Sequence, residues 1–294
     1  FMNRQTRNSY LQFITSMLIF GTIGIFRKYI PLSSGMLAFT RGLLGCVFLL
    51  LFLLIRNGRK IELPDRQNLI LLAVTGALIG LNWIFLFESY RYTSVTIATM
   101  CYYMQPTIVI LLSPLVFKEK LTIKKLCCAA TAIIGMFFVS GMTDGNGIGA
   151  ADTIGIVCGL CAAAFYASVI MLNKKIHVED AYQKTMVQLG AAALVLVPYL
   201  IVTEDFGVLS FHWQAAIMVL IVGIVHTGIA YVMYFGSMKD LKAQSIAVLS
   251  YVDPVFALLL SALVLHEKLS MFGLIGAVLV IGSALISELP GENK

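Results

Sequence analysis

Charge is what this sequence lacks. Asp, Glu, Lys and Arg supply only 12% of its 294 residues, against 59% for the hydrophobic types. A soluble domain of this size covers itself with charges of both signs at close to a quarter of its residues. Water therefore cannot be the solvent for most of this chain, and lipid must be. The formal net charge of +6 is not pooled in one patch but spread over short segments between apolar runs, which excludes a nucleic-acid surface.

Other absences exclude whole classes of chemistry. There is no GxSxG elbow and no glycine loop to cradle a phosphate. His266-Glu267 is not followed by the second histidine of a zinc-protease helix. A membrane enzyme thus lacks a nucleophile or a metal constellation, and an ATP-driven pump lacks its nucleotide loop. The six cysteines (Cys46, Cys101, Cys127, Cys128, Cys158 and Cys161) all lie in apolar stretches, and no paired CxxC spacing implies a metal. Cys158 and Cys161 share a helix face and read as small buried residues. The first apolar stretch runs from near Tyr10 into Arg27-Lys28 without a small-residue cleavage site, so no secretory signal is expected. No cofactor is implied.

What is present is hydrophobic length. A helix needs about 20 apolar residues to cross roughly 30 Å of hydrocarbon. Ten runs qualify, near 9–28, 34–55, 67–90, 95–117, 122–142, 151–173, 181–202, 212–236, 243–265 and 269–288. They are continuous rather than alternating, so they predict helices and not barrel strands. With the N-terminus placed in the cytoplasm, sixteen Lys and Arg fall on the cytoplasmic side. Four (Arg27, Lys28, Arg91 and Lys268) fall on the other, and Arg41 lies within a span. The imbalance predicts that both termini are cytoplasmic, in a bacterial-type inner membrane.

The chain also repeats itself. TIATMCYYMQP at 96–106 resembles SIAVLSYVDP at 245–254, and each leads into a charged tripeptide, Lys118-Glu119-Lys120 or His266-Glu267-Lys268. Pro106 to Pro254 is 148 residues, and so is Glu119 to Glu267. Gly80 with Gly228, Trp83 with Tyr231, and Arg91 with Lys239 keep the same offset. Two halves, 1–146 and 147–294, would then hold five spans each. An odd number forces the halves to cross the membrane in opposite senses, the arrangement that supports alternating access. A channel has little need of such a repeat.

These segments, 92–122 and 241–270, with Phe39-Thr40-Arg41 in the second span, resemble the EamA type of the drug/metabolite transporter superfamily. The resemblance covers nearly the whole chain. It implies an all-α membrane protein of ten transmembrane helices, two inverted five-helix repeats around a central cavity, and export or exchange of small metabolites such as amino acids. It names no substrate. Gln105 precedes the proline in the first half where Asp253 does in the second, so carboxylate chemistry there belongs to one repeat only.

Ionisable groups inside spans are costly and tend to face a partner or a pathway. Asp253, beside Pro254, is a candidate coupling-ion or proton site, or a counter-charge for an amine; the alternative is a buried carboxylate paired with Arg41 or a backbone group. Pro254 is expected to bend the ninth span. His226 titrates near physiological pH and is a second candidate proton site, or else is bonded to a helix carbonyl. Arg41 could take an anionic substrate group or serve as a structural donor. Glu88 is expected to pair with Arg91 at i, i+3. Trp83, Tyr102, Tyr103, Tyr231, Tyr234 and Tyr251, with Gln105, form the candidate substrate-binding set, since rings plus one carboxylate can hold an organic cation. Glu119 and Glu267 are expected at the N-terminal ends of the helices that follow them. Gly76-xxx-Gly80 and Gly155-xxx-Gly159 are expected to bring helices close.

The reading is a secondary transporter of a small metabolite, an amino acid being the broadest choice, working by export or exchange with protons as a further partner. Its rival is an importer of a quaternary amine held by tyrosines and Asp253. A monomer or homodimer in the bilayer satisfies either.

Overall fold

A computed structural model of the chain describes residues 4–57, 64–93, 98, 101–139, 152–204, 213–264 and 271–288. Among these residues all regular structure is helical. The helices are α1 Arg4–Gly21, α2 Ile23–Lys28, α3 Ser34–Arg56, α4 Arg66–Tyr92, α5 Gln105–Phe117, α6 Ile123–Val139, α7 Asp152–Asn173 and α8 Ala181–Thr203. Then come α9 Trp213–Asp240, α10 Ala243–Leu249, α11 Val252–Val264 and α12 Met271–Glu288.

The starts are capped as the sequence dictates. Ser33 Oγ accepts from Met36 N at 3.0 Å, and Asp65 accepts from Asn68 N at 3.2 Å. Asp180 accepts from Tyr182 N at 3.0 Å at the head of α8. Each side chain satisfies a donor that the first helical turn leaves open. Where α7 ends, the Lys184 ammonium donates to the Asn173 carbonyl at 3.2 Å, a cation at the negative end of a helix.

α3, α4, α8, α9 and the stretch Thr153–Asn173 of α7 are long and apolar enough to cross a bilayer, and α5 and the stretch Met271–Ser283 of α12 are shorter apolar helices. Their outward residues are apolar too: Ile55 is 83% and Val202 85% exposed. Such side chains would be unfavourable in water, so this surface faces lipid.

Four of the expected runs, the first, fourth, eighth and ninth, are not single regular helices. The first is interrupted at Thr22, between α1 and α2. The ninth is two helices, broken at Ser250–Tyr251. The break precedes Pro254 instead of bending at it, because this places the proline in the first turn of α11, where no intrahelical donor is needed. Pro106 does the same at the head of α5, after a turn at Tyr103–Met104. In the eighth run, α9 passes through a π-helical stretch, Val222–Ile229.

At the 148-residue spacing of the sequence, which separates Tyr103 from Tyr251, α3 corresponds to α8 and α6 to α12. The members of each pair pack against each other. α4 lies against both α7 and α8, while α1 lies against α9 and α11. Glycine sets the closest of these contacts. A β-carbon at Gly76 would stand 2.4 Å from the Gln188 carbonyl oxygen, and one at Gly80 2.8 Å from that of Ala192. α4 and α8 therefore meet backbone to backbone, as small residues four apart allow. Gly155 and Gly159 likewise press on Thr93 and Cys101.

Candidate functional site

Aromatic rings from both halves form one continuous chain through the core. Phe20 of α1 meets Tyr231 and Tyr234 of α9 at 5.2 and 5.8 Å between centroids. Tyr234 stacks with Tyr166 of α7 at 6.3 Å, Tyr166 meets Tyr102 at 6.1 Å, and Tyr102 meets Tyr103 at 5.6 Å. Trp83, Tyr231, Tyr234 and Tyr251 are buried. Such offset and edge-on ring pairs stabilise beyond their area alone.

Each end of the chain carries a charge. At one end the Arg41 guanidinium lies 4.6 Å from the Trp83 ring. Tyr231 has both Trp83 and Arg41 as hydrogen-bonding neighbours of its hydroxyl. Arg41 Nε is buried with no acceptor among the described residues. At the other end the Tyr103 hydroxyl is the hydrogen-bonding neighbour of the Asp253 carboxyl. Asp253 acts electrostatically on Tyr102, Tyr231 and Tyr234 as well. Tyr231 is thus within electrostatic reach of both charges.

The pairing of Asp253 with Arg41, one of the alternatives open from sequence, is not among the ion pairs of the described residues, which are Arg56–Asp180 and Arg91–Glu88. The Glu88 pair holds as expected, at 2.9 Å, and Tyr199 also donates to that carboxylate at 2.8 Å. Gln105, the counterpart of Asp253, is buried, and its Nε2 has no acceptor among the described residues. Tyr251 sits slightly apart, with Tyr103, against α6 and α12. Its hydroxyl donates to the Tyr103 carbonyl at 3.2 Å and lies 3.4 Å from Thr107 Oγ1.

His226 has the Ile221 carbonyl of its own helix as a hydrogen-bonding neighbour, the helix-carbonyl alternative open from sequence. Its Nε2 is 2.7 Å from Thr22 Oγ1, and its ring meets Phe26 edge-on at 4.7 Å. It lies in the π-helical stretch, a feature frequent at functional sites. Arg41 is the charged group that acts on it.

At the Lys-rich end the expectation for Glu119 needs correcting. Its carboxylate does not serve the helix that follows it. It accepts instead from Ala243 N at 3.0 Å and Gln244 N at 3.4 Å, at the head of α10 in the other half. Lys118, left-handed with φ 56°, turns the chain so that Glu119 can reach there. Nearby, the Lys174 ammonium donates to the Leu241 carbonyl; burial pushes Lys174 below the ordinary lysine value, opposed by Glu119 and Asp240. Glu267 lies outside the described residues.

Reading the sequence alone missed Phe20, Thr22 and Tyr166. Tyr166 carried a signal, being an aromatic at the middle of the sixth run and clear of any interface. Thr22 carried none, because its role comes from a partner 204 positions away.

The model of the EamA-like transporter family matches this sequence twice, over residues 7–141 and again over 153–288. The uncharacterized transporter YxxF of Bacillus subtilis is 28% identical over 99% of this chain and 93% of its own length. Protein PecM of Dickeya dadantii is 28% identical over 77% of this chain and 76% of its own. A solved crystal structure superposes with a TM-score of 0.81 at 20% identity, covering 96% of both chains, which is a likeness of fold.

Proposed function

The chain belongs to the EamA-like transporter family, and from that premise we propose that it carries a small zwitterionic metabolite, an amino acid in the simplest case, across the inner membrane. Both termini lie in the cytoplasm, and ten spans in two inverted halves alternate access to a site between them. The family model's separate match to each half, and contacts between residues that occupy equivalent places in the two halves, support that arrangement.

One observation carries the substrate class: a single chain of packed rings joins Arg41 to Asp253, with Tyr231 in reach of both. Arg41 Nε, without an acceptor among the described residues, offers a donor to a carboxylate, and Asp253 with Tyr103 offers an acceptor to an ammonium. Gln105 and the rings meet the remainder of the solute. The mechanism is electrostatic pairing at both ends of the substrate as it leaves water. Asp253 and His226 are the proton sites for coupling, and net movement is export or exchange. The quaternary-amine reading is disfavoured, because Arg41 occupies the Trp83 face and brings a positive charge to the box.

A thermal-shift screen of the purified protein against amino acids, amines and sugar phosphates tests this. Stabilisation by amino acids that is lost in both Arg41→Gln and Asp253→Asn is the expected result. Each charge-assisted hydrogen bond removed costs about 1.5–3 kcal/mol, or roughly ten- to a hundred-fold in affinity. Stabilisation by amines alone, lost only in Asp253→Asn, decides for the amine importer.

A further inference from the structure

α10 is a short helix with a break at each end. Leu241 and Lys242 separate it from α9, and the turn at Ser250–Tyr251 separates it from α11. Its 7 residues, Ala243–Leu249, are all buried, and at 1.5 Å per residue they span about 10 Å. One end meets the candidate site, because Tyr251 and Asp253 follow directly on the second break. The other end is the Lys-rich joint that holds Lys239, Asp240 and Lys242.

Three other segments fasten that joint. Asp240 accepts from Gln5 Nε2 at 3.1 Å and from Ser9 Oγ at 2.6 Å, both on α1. The Gln244 side chain donates to Ser113 Oγ of α5 at 2.8 Å, and Glu119, just past α5, accepts from the Ala243 and Gln244 amides. Lys174, just past α7, donates to the Leu241 carbonyl. Each of these bonds between segments uses a side chain, so rotamer changes can release the joint without unwinding a helix.

The fastening to α1 is not repeated in the sequence of the other half. At the 148-residue spacing Asp240, Gln5 and Ser9 correspond to Tyr92, Thr153 and Val157. No carboxylate stands at the first of these places and no donor at the last, and Tyr92 is 43% and Val157 54% exposed. There the start of α7 meets α4 through glycine instead. A β-carbon at Gly155 would stand 2.5 Å from Thr93 Cγ2, and Ser89 Oγ donates to the Gly155 carbonyl at 2.6 Å. Identical halves that exchange shapes would weight both arrangements alike, whereas a polar fastening at one end alone favours one of them.

We infer that Asp240 is a one-sided latch: clasped by Gln5 and Ser9 it keeps the Lys-rich end closed, and α10 ties its release to Tyr251 and Asp253 at the site. The latch rests on the alternating-access reading above. In the orientation proposed there, the latched carrier is the form closed to the cytoplasm.

Hydrogen exchange of the protein in lipid nanodiscs, read by mass spectrometry with no solute added, tests the latch. In Asp240→Ala, exchange over residues 240–249 should quicken about ten-fold, the equivalent of one hydrogen bond to a charged group. Exchange over 86–93 and 153–157, at the opposite end, should slow, because the form that opens one end closes the other. Gln5→Ala combined with Ser9→Ala removes the donors, leaves Asp240 in place and should do the same. Asp240→Asn keeps one acceptor oxygen and should fall between wild type and Asp240→Ala. A merely structural bond would quicken the joint and leave the opposite end as it was; that result overturns the inference, as does a joint unchanged in both alanine variants. Counterflow by the wild type separates the failures. If it persists, only the latch is lost; if it is absent, the alternating-access reading falls as well.

Discussion

The hydroxyl of Tyr251 donates to the carbonyl of Tyr103, and these two residues are 148 positions apart, the spacing of the repeat. Trp83 and Tyr231 stand in the same relation and are also neighbours. If the two halves are related as proposed, equivalent residues can touch only near the axis that exchanges them. Trp83 and Tyr231 stand at the Arg41 end of the ring chain and Tyr103 at its Asp253 end, so in the proposed two-halved arrangement the candidate site lies along that axis. A carrier that presents one site alternately to two sides needs its site in that position.

Tyr251→Phe removes the axis bond while keeping the ring. The Tyr103 carbonyl loses a buried donor, for an expected loss of about 1–3 kcal/mol in stability. Unfolding of the protein in nanodiscs, followed by circular dichroism, measures it. A smaller loss is the expectation for Tyr199→Phe, whose partner Glu88 keeps Arg91.

Glycines differ sharply in what they tolerate. Gly76→Ala puts a methyl group 2.4 Å from a backbone oxygen, so α4 and α8 must part, at a cost of about 1–3 kcal/mol or more. At Gly282 a β-carbon meets nothing within 4 Å, and Gly282→Ala should be neutral or stabilising by up to about 1 kcal/mol through helix propensity. Thermal melts of the two variants side by side check the contrast.

Glu119→Ala strips the cap from α10 and should cost about 1 kcal/mol, while Glu119→Gln keeps an acceptor oxygen and should cost less. Because this cap joins the two halves at the Lys-rich end, the alanine variant should also speed hydrogen exchange at Ala243 and Gln244. Exchange unchanged at those amides contradicts the assignment of the cap.

Arg41→Lys retains the charge but loses Nε and the flat guanidinium over Trp83. Affinity for the amino acid that the screen selects should fall roughly ten-fold or more. Trp83 fluorescence, read in a Trp213→Phe background, should respond to that ligand in the parent and only weakly in the lysine variant.

Much of this was legible in the sequence. Scarcity of charge and the length of the apolar runs fix a helical membrane protein, because lipid leaves the backbone few other solutions. Proline and glutamate at one spacing point to a repeat, and the family model matches the chain twice. Glu88 with Arg91, and the close glycines of α4, are local patterns and were readable as such. Contacts between distant segments were not. Glu119 serves the helix at Ala243 instead of its own successor, and nothing near it in the chain says so. Thr22 bonds a histidine two hundred positions away, and the π-helical turn that presents His226 leaves the apolar pattern unchanged. The break before Pro254, as opposed to a bend at it, follows from a preference for prolines in first turns that hydropathy does not register.

Counterflow in proteoliposomes, with the radiolabelled amino acid chosen by thermal shift, tests the central claim most directly. The account predicts saturable exchange by the wild type, reduced toward empty-vesicle background in both Arg41→Gln and Asp253→Asn at matched protein incorporation. Exchange at the wild-type rate in both variants would contradict it.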